Sequence, residues 1–384
     1  MVTAAFQPVG QVLRWARQSV GLTQEQAAKQ LNLTAETLEA WESERSQPSF
    51  AYLKKLAAKY DRPIAALLLD HIPPEPALPE DFRTLAGVGP RLSVAGISNI
   101  RDINARQLHA ADLMDFDPTL LPTPTLGLVT QGDNIEEVAF AERDKLNISA
   151  ETQVNEWDTA NDAFTAWRLG LERTGILVFA RKVPRSDYRG FSFLTRGLPP
   201  VIFVNSGEMP QARTFTIIHE LAHLLMRRGG LCQLVEGTQG RGVIESYCNR
   251  FTAAFLMPRQ LLEDVLEVRL DMIRPRVWEL ADIRGFARRM KVSLPATLRR
   301  FRDLEIADRT WANGTLALVE NQDWQASGGG GGNTTYAKRR LIELGTAYGS
   351  AVLGALDKGI ISTLDASEML ATRPVHFNAM RALL

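Results

Sequence analysis

Cysteine is scarce: the 384 residues hold only Cys232 and Cys248, and no CxxC pair. That excludes a disulfide framework. Net charge is missing too, with 44 basic side chains against 44 acidic, so any contact with nucleic acid must come from a local patch. No uninterrupted apolar run approaches the about 20 residues of a membrane span. The opening stretch, MVTAAFQPVGQVLRWARQ, lacks a charged start followed by a long apolar core, so no signal peptide is expected. Nor is there an internal repeat of fixed period. These absences point to a soluble, cytoplasmic protein with no membrane partner. What remains is a chain long enough for two or three domains, with an ordinary 45% apolar content.

The punctuation along the chain suggests where those domains lie. Residues 1–70 read as five short helices: Thr23 and Gln26 form a capping box, Thr34 caps the next helix, and Leu53, Leu56 and Ala57 recur at helical spacing. Residues 71–80, HIPPEPALPE, place four prolines in ten positions, a stiff linker. Residues 81–154 form a helical connecting region, with helices expected over 93–116 and 134–146. From 155 the spacing predicts a helix over 155–173, strands over 176–180, 191–194 and 201–204, and a helix over 212–228 stopped by Gly229 and Gly230. Another helix is expected over 245–256. Residues 280–305 read as helix, turn, helix. Five glycines at 328–332 form a joint, and 306–384 are a helical region of unassigned role. The fold class is α+β, mostly α.

The chemistry concentrates in His219-Glu220-Leu221-Ala222-His223, an HExxH pattern that takes two of only five histidines. Residues i and i+4 share a helix face with Cβ atoms about 5–6 Å apart, so two imidazoles can bind one tetrahedral ion. Glu220 stands beside the first of them, able to take a proton from water that zinc has acidified. A catalytic ion needs a third protein ligand and an open place. Glu245, expected to begin the next helix, suits that role, although an acid at a helix start is also favoured by the dipole alone. Cys248 has ligand chemistry but sits where small core residues do. Tyr247 is either an oxyanion donor or a buried aromatic. The strand over 201–204, just before the motif, is a candidate sheet edge for a peptide substrate or plain core.

RTFTIIHELAHLLM followed by ESYCNRFTAAFLMP resembles the ImmA/IrrE family of metallopeptidases, as do WRLGLERTGILVF (167–179), RGFSF (189–193) and PPVIFVN (199–205). The resemblance runs over about 155–305 and implies a zincin-like domain with a small sheet. It implies His219, His223 and Glu245 as ligands of Zn2+, with Mn2+ as the alternative ion, and Glu220 as catalytic acid/base of a gluzincin-like metallo-endopeptidase. Ala222 departs from the family's usual glycine. Residues 9–69 resemble the XRE-type, lambda-repressor-like helix-turn-helix, and PEDFR (79–83) also fits the long form of the family. Such peptidases cleave helix-turn-helix repressors, the chain itself or a partner, and so relieve repression in stress, DNA damage or phage and mobile-element responses. The contrasting expectation is a DNA-binding regulator or antitoxin whose peptidase fold is only a sensor.

In helix-turn-helix domains the second helix's start meets phosphate and the third helix enters the major groove. By match, Gln24, Thr34, Ala35, Glu36 and Thr37 would face operator DNA. Residues 1–70 hold only eight basic against seven acidic side chains, and the third helix region carries Glu36, Glu39, Glu42 and Glu44, which weakens phosphate attraction. A homodimer would compensate; pairing with another helix-turn-helix protein is the alternative use. Arg284, Arg288, Arg289, Lys291, Arg299, Arg300 and Arg302 lie with no acid between them. They are a solvated face or, for Arg288, Arg289, Lys291, Arg299 and Arg300 in particular, a surface for single-stranded DNA.

Overall fold

A computed structural model of the chain describes residues 8–73, 92–130, 132–227, 230–232, 241–323 and 335–384. The prolines at 74–80, most of the glycine-rich stretch 229–242 and the five glycines at 328–332 lie outside the described residues or among them only in part. The chain divides into two compact units, Met1–Asn104 and Ala105–Leu384.

The first unit starts with α1 (Gly10–Gln18), α2 (Gln24–Leu31), α3 (Ala35–Glu42), α4 (Phe50–Lys59) and α5 (Ile64–Leu67). Their boundaries follow from local chemistry. Thr23 and Gln26 close a reciprocal capping box on α2, Thr34 accepts from Thr37 N, and Ser49 accepts from Tyr52 N. Asn32, at φ 56, turns the chain out of α2. Leu13, Leu38, Leu56 and Tyr60 fill the centre with no exposed surface. Helix α6 (Val94–Phe116) belongs to this unit up to Asn104 and to the second from Ala105.

The second unit continues with α7 (Ile135–Lys145), a π turn over Thr152–Glu156, and α8 (Ala160–Arg173). The expected single helix over 155–173 is therefore interrupted. Trp157 is extended so that its ring can meet Trp167 edge-on at 5.3 Å, and Thr159 with Asp162 caps a fresh helix. Gly175, at φ 84, ends it and leads into the sheet.

Strands β1 (Leu177–Arg181), β2 (Gly190–Phe193), β3 (Val201–Asn205) and β4 (Gly230–Cys232) form one sheet in the order β1-β3-β2-β4. The β3 strand is parallel to β1 on one side and antiparallel to β2 on the other. Of the two expectations for 201–204, plain core holds and the open edge does not: its backbone groups are paired on both sides, and all five residues of β3 are buried.

Helix α9 (Pro210–Leu225) starts on a proline in its first turn. It ends at Met226 and Arg227, whose φ of 51 breaks it, rather than at the glycines expected to stop it. Helix α10 (Arg241–Leu256) begins four residues earlier than expected, so Glu245 stands in its second turn and is not an N-terminal acid. Then come α11 (Arg259–Leu266), α12 (Leu280–Arg289), α13 (Leu294–Asp303), α14 (Arg309–Asp323), α15 (Tyr336–Leu344), α16 (Thr346–Asp357), α17 (Thr363–Met369) and α18 (Phe377–Arg381). Helix α15 packs on β1 and α16 on α8, so the C-terminal helices are part of the unit that holds the sheet. Among the described residues no helix is long and apolar enough to cross a membrane.

Candidate metal centre

Helix α9 is buried on every side through its second half, from Ile217 to Leu225. A helix apolar all round belongs inside a domain. Its three polar groups, His219, Glu220 and His223, therefore sit in a dry place and need partners. The 219 and 223 rings lie one turn apart with centroids 4.9 Å apart, and their Nε2 atoms approach to 3.1 Å.

Glu245 reaches across from α10. Its Oε2 is 3.2 Å from His219 Nε2 and its Oε1 is 3.3 Å from His223 Nε2. A tetrahedral ion with bonds of about 2.0–2.1 Å holds its ligand atoms about 3.3–3.4 Å apart. The spacing and the donor types, two imidazoles and a carboxylate, fit a divalent cation. Burial pushes the Glu245 carboxyl up, but hydrogen bonds from His219 and His223 outweigh it and hold it at about 2. Cys248 is a free, buried thiol one turn beyond Glu245, its ligand atom within 4.8 Å of those of the two histidines. The Tyr247 hydroxyl is buried without a hydrogen-bond partner among the described residues.

Glu220 has no exposed surface. Burial raises its proton affinity, while the two imidazoles and a hydrogen bond from Ser192 act the other way. Its two oxygens differ. Oε2 accepts from Ser192 Oγ at 2.8 Å, whereas Oε1 has no hydrogen-bond partner among the described residues. Sequence reasoning missed Ser192. The signal was a single hydroxyl between two phenylalanines, in a strand read as uniformly apolar.

Residues 171–302 match the family model of the IrrE N-terminal-like domain, a peptidase family, and residues 13–67 match the helix-turn-helix family. The chain is 32% identical over 137 residues to the radiation response metalloprotease IrrE of Deinococcus deserti, covering 34% of this chain and 44% of that one. It is 33% identical over 72 residues to the protein of the same name from Deinococcus radiodurans, covering 17% of this chain and 22% of that one. It thus spans less than half the length of these relatives.

In the helix-turn-helix domain, Thr34, Ala35, Glu36 and Thr37 form the exposed or half-buried start of α3, and Gln24 opens α2. Gln24 is held by a bond from its Nε2 to Glu42 Oε2 at 2.9 Å. Two of the four glutamates counted against DNA are tied back to the domain, Glu42 buried and Glu44 exposed. Glu42 is 3% exposed and takes a bidentate pair from Arg17 at 2.6 and 2.8 Å, and Glu44 accepts from Gly10 N. Glu39 is paired with Arg45 at 3.0 Å.

The second basic stretch needs a correction. Arg300 is buried, donating to Met257 O and, bidentate at 2.6 and 2.7 Å, to Glu136. It ties α13 to α7 and is not a nucleic-acid contact. The reason is periodicity: Arg300 lies four residues beyond Ala296 and three beyond Thr297, on the buried face of α13. Arg288, Arg289 and Arg299 are exposed and Lys291 is half-buried.

Proposed function

We propose that the chain is a zinc-dependent regulatory endopeptidase that cleaves a helix-turn-helix repressor, itself or a partner, and so relieves repression under stress or DNA damage. The observation that carries this reading is the convergence of His219 Nε2, His223 Nε2 and the two Glu245 oxygens, with contacts of 3.1–3.3 Å, beside the buried Glu220. His219, His223 and Glu245 hold the ion. Glu245 is preferred to Cys248 because each of its oxygens contacts one imidazole and its charge offsets part of a dication's. When bound, the ion polarises the scissile carbonyl and acidifies water.

The rest is done by the chain's own groups. Glu220 takes the attacking water's proton at Oε1, keeps it in a site whose dryness favours the neutral acid, and passes it to the leaving amine. The domain over 13–67 brings the peptidase to an operator or to a repressor of its own kind, with Gln24 and Thr34 to Thr37 toward DNA. The relatives' name, radiation response metalloprotease, supports the stress setting.

The test is mass spectrometry of the purified chain incubated with zinc or manganese, alone and with candidate repressors. Bound zinc should be lost in His223→Ala. Cleavage should fall about 10²–10⁴-fold in Glu220→Gln while zinc is retained. If Glu220→Gln cleaves and induces like the parent, the catalytic reading fails and the domain is a sensor.

A further inference from the structure

One side of β2 is built around Glu220. Residues two apart share a strand face, and here Gly190 and Ser192 do so while Phe191 stacks with Phe203 at 4.8 Å. Ser192 is fully buried, and its Oγ donates to Glu220 Oε2 at 2.8 Å. A Cβ at Gly190 would stand 2.4 Å from Thr216 Cγ2, 2.8 Å from Phe203 O and 3.6 Å from Glu220 Oε1. Only glycine lets the strand lie this close to α9. One position supplies a donor to the carboxylate and the other leaves room at its second oxygen.

Resting on the metallopeptidase reading, we propose that Ser192 is the positioning residue for Glu220. A glutamate has three side-chain torsions, and burial alone does not choose among them. A donor on one oxygen does. Ser192 is well placed to act as a fixed donor because β2 is paired on both sides, with Ser192 opposite Ile202 of β3 and Gly230 of β4. The carboxylate is thereby anchored through Oε2 and presents Oε1, which has no other partner among the described residues, for proton transfer. The role differs from that of a core serine, whose hydroxyl would serve a backbone carbonyl in its own strand or helix.

The experiment uses the full chain loaded with cobalt and titrated with acetohydroxamic acid, read by the visible spectrum of the metal. A hydroxamate gives up a proton on binding, so its affinity reports Glu220's placement with no need for a substrate. Ser192→Ala should keep its cobalt and its melting temperature but bind acetohydroxamate about tenfold more weakly, the scale of one hydrogen bond to a charged group. On a Glu220→Ala background the same change should matter by less than about twofold. Ser192→Thr, which keeps the hydroxyl, should recover most of the affinity. Should the alanine variant fold poorly, Ser192→Cys, nearly isosteric with a weak donor, carries the same comparison.

The inference is overturned if Ser192→Ala binds like the parent, or if its effect is undiminished when Glu220 is gone. Those results leave the metal site standing, provided that cobalt binds the parent and is lost in His223→Ala. If the parent takes up no cobalt, both readings fall together.

Discussion

Helices α8 and α9 both carry charged side chains into the interior, and they treat them oppositely. On α8, Arg168 and Glu172 are 6% and 4% exposed and pair at 3.1 Å. Arg168 also donates to Val178 O and Ile342 O, and Glu172 accepts from Thr346 N and Ala347 N at 3.0 and 3.2 Å. Every polar atom of the pair has a partner. Gly345, at φ 83, makes the closure work, since a Cβ there would lie 2.5 Å from Glu172 Oε1 and 2.7 Å from Val178 O. On α9 the buried Glu220 carboxylate is left short: Oε2 accepts from Ser192, but Oε1 has no hydrogen-bond partner among the described residues. A fully partnered buried charge is architecture. A buried charge left short of partners is a site waiting for a ligand, at some cost in stability.

This contrast can be broken by mutation. The largest stability effect belongs to α8. Glu172→Ala leaves a buried guanidinium uncompensated and should cost about 3–5 kcal/mol in denaturant unfolding, without changing the zinc bound per folded chain. A loss below about 1 kcal/mol would mean that the knot is ornamental. Next comes the ion: zinc at a hundred times its Kd should stabilise the chain by about 2.7 kcal/mol, a gain reversed by chelator and missing in His223→Ala. Were His223→Ala stabilised equally, the metal would be elsewhere. Smaller and of opposite sign to Glu172→Ala, Glu220→Gln should leave the metal-free chain as stable as before or up to about 1 kcal/mol more so, because it removes an incompletely partnered charge. Melting curves of the two variants side by side decide the sign.

The least effect is expected at an exposed ion pair. Lys358 Nζ and Thr119 hold the Asp117 carboxyl down at about 2, below its ordinary 3.8. A depressed carboxyl contributes stability above its unfolded pKa and loses it as pH falls through the folded one. Asp117→Asn should therefore flatten the acid limb of a stability profile between pH about 4 and 2, and leave neutral pH nearly untouched. A changed profile near neutrality would refute that assignment.

Legibility in the sequence followed the range of the interaction. Caps at Thr23 and Thr34 were readable, because capping is settled within four residues. Interactions that join distant segments were not. Nothing near Glu172 announces that the amides of 346 and 347 will close on it, and nothing near Arg300 announces Glu136. Glu42 and Glu44 read as a charged face until the fold turned them toward Arg17 and Gly10.

The order of residues alone settled which side chains bring chemistry, since a 3.6-residue period places the imidazoles of 219 and 223 on one face in any helix. Only the tertiary structure decided that Glu245 crosses to meet them, that β3 is internal, and that Ser192 stands under Glu220. Those outcomes depend on how strands and helices from separate stretches pack. Packing is chosen by the whole core at once, so no local pattern can report it.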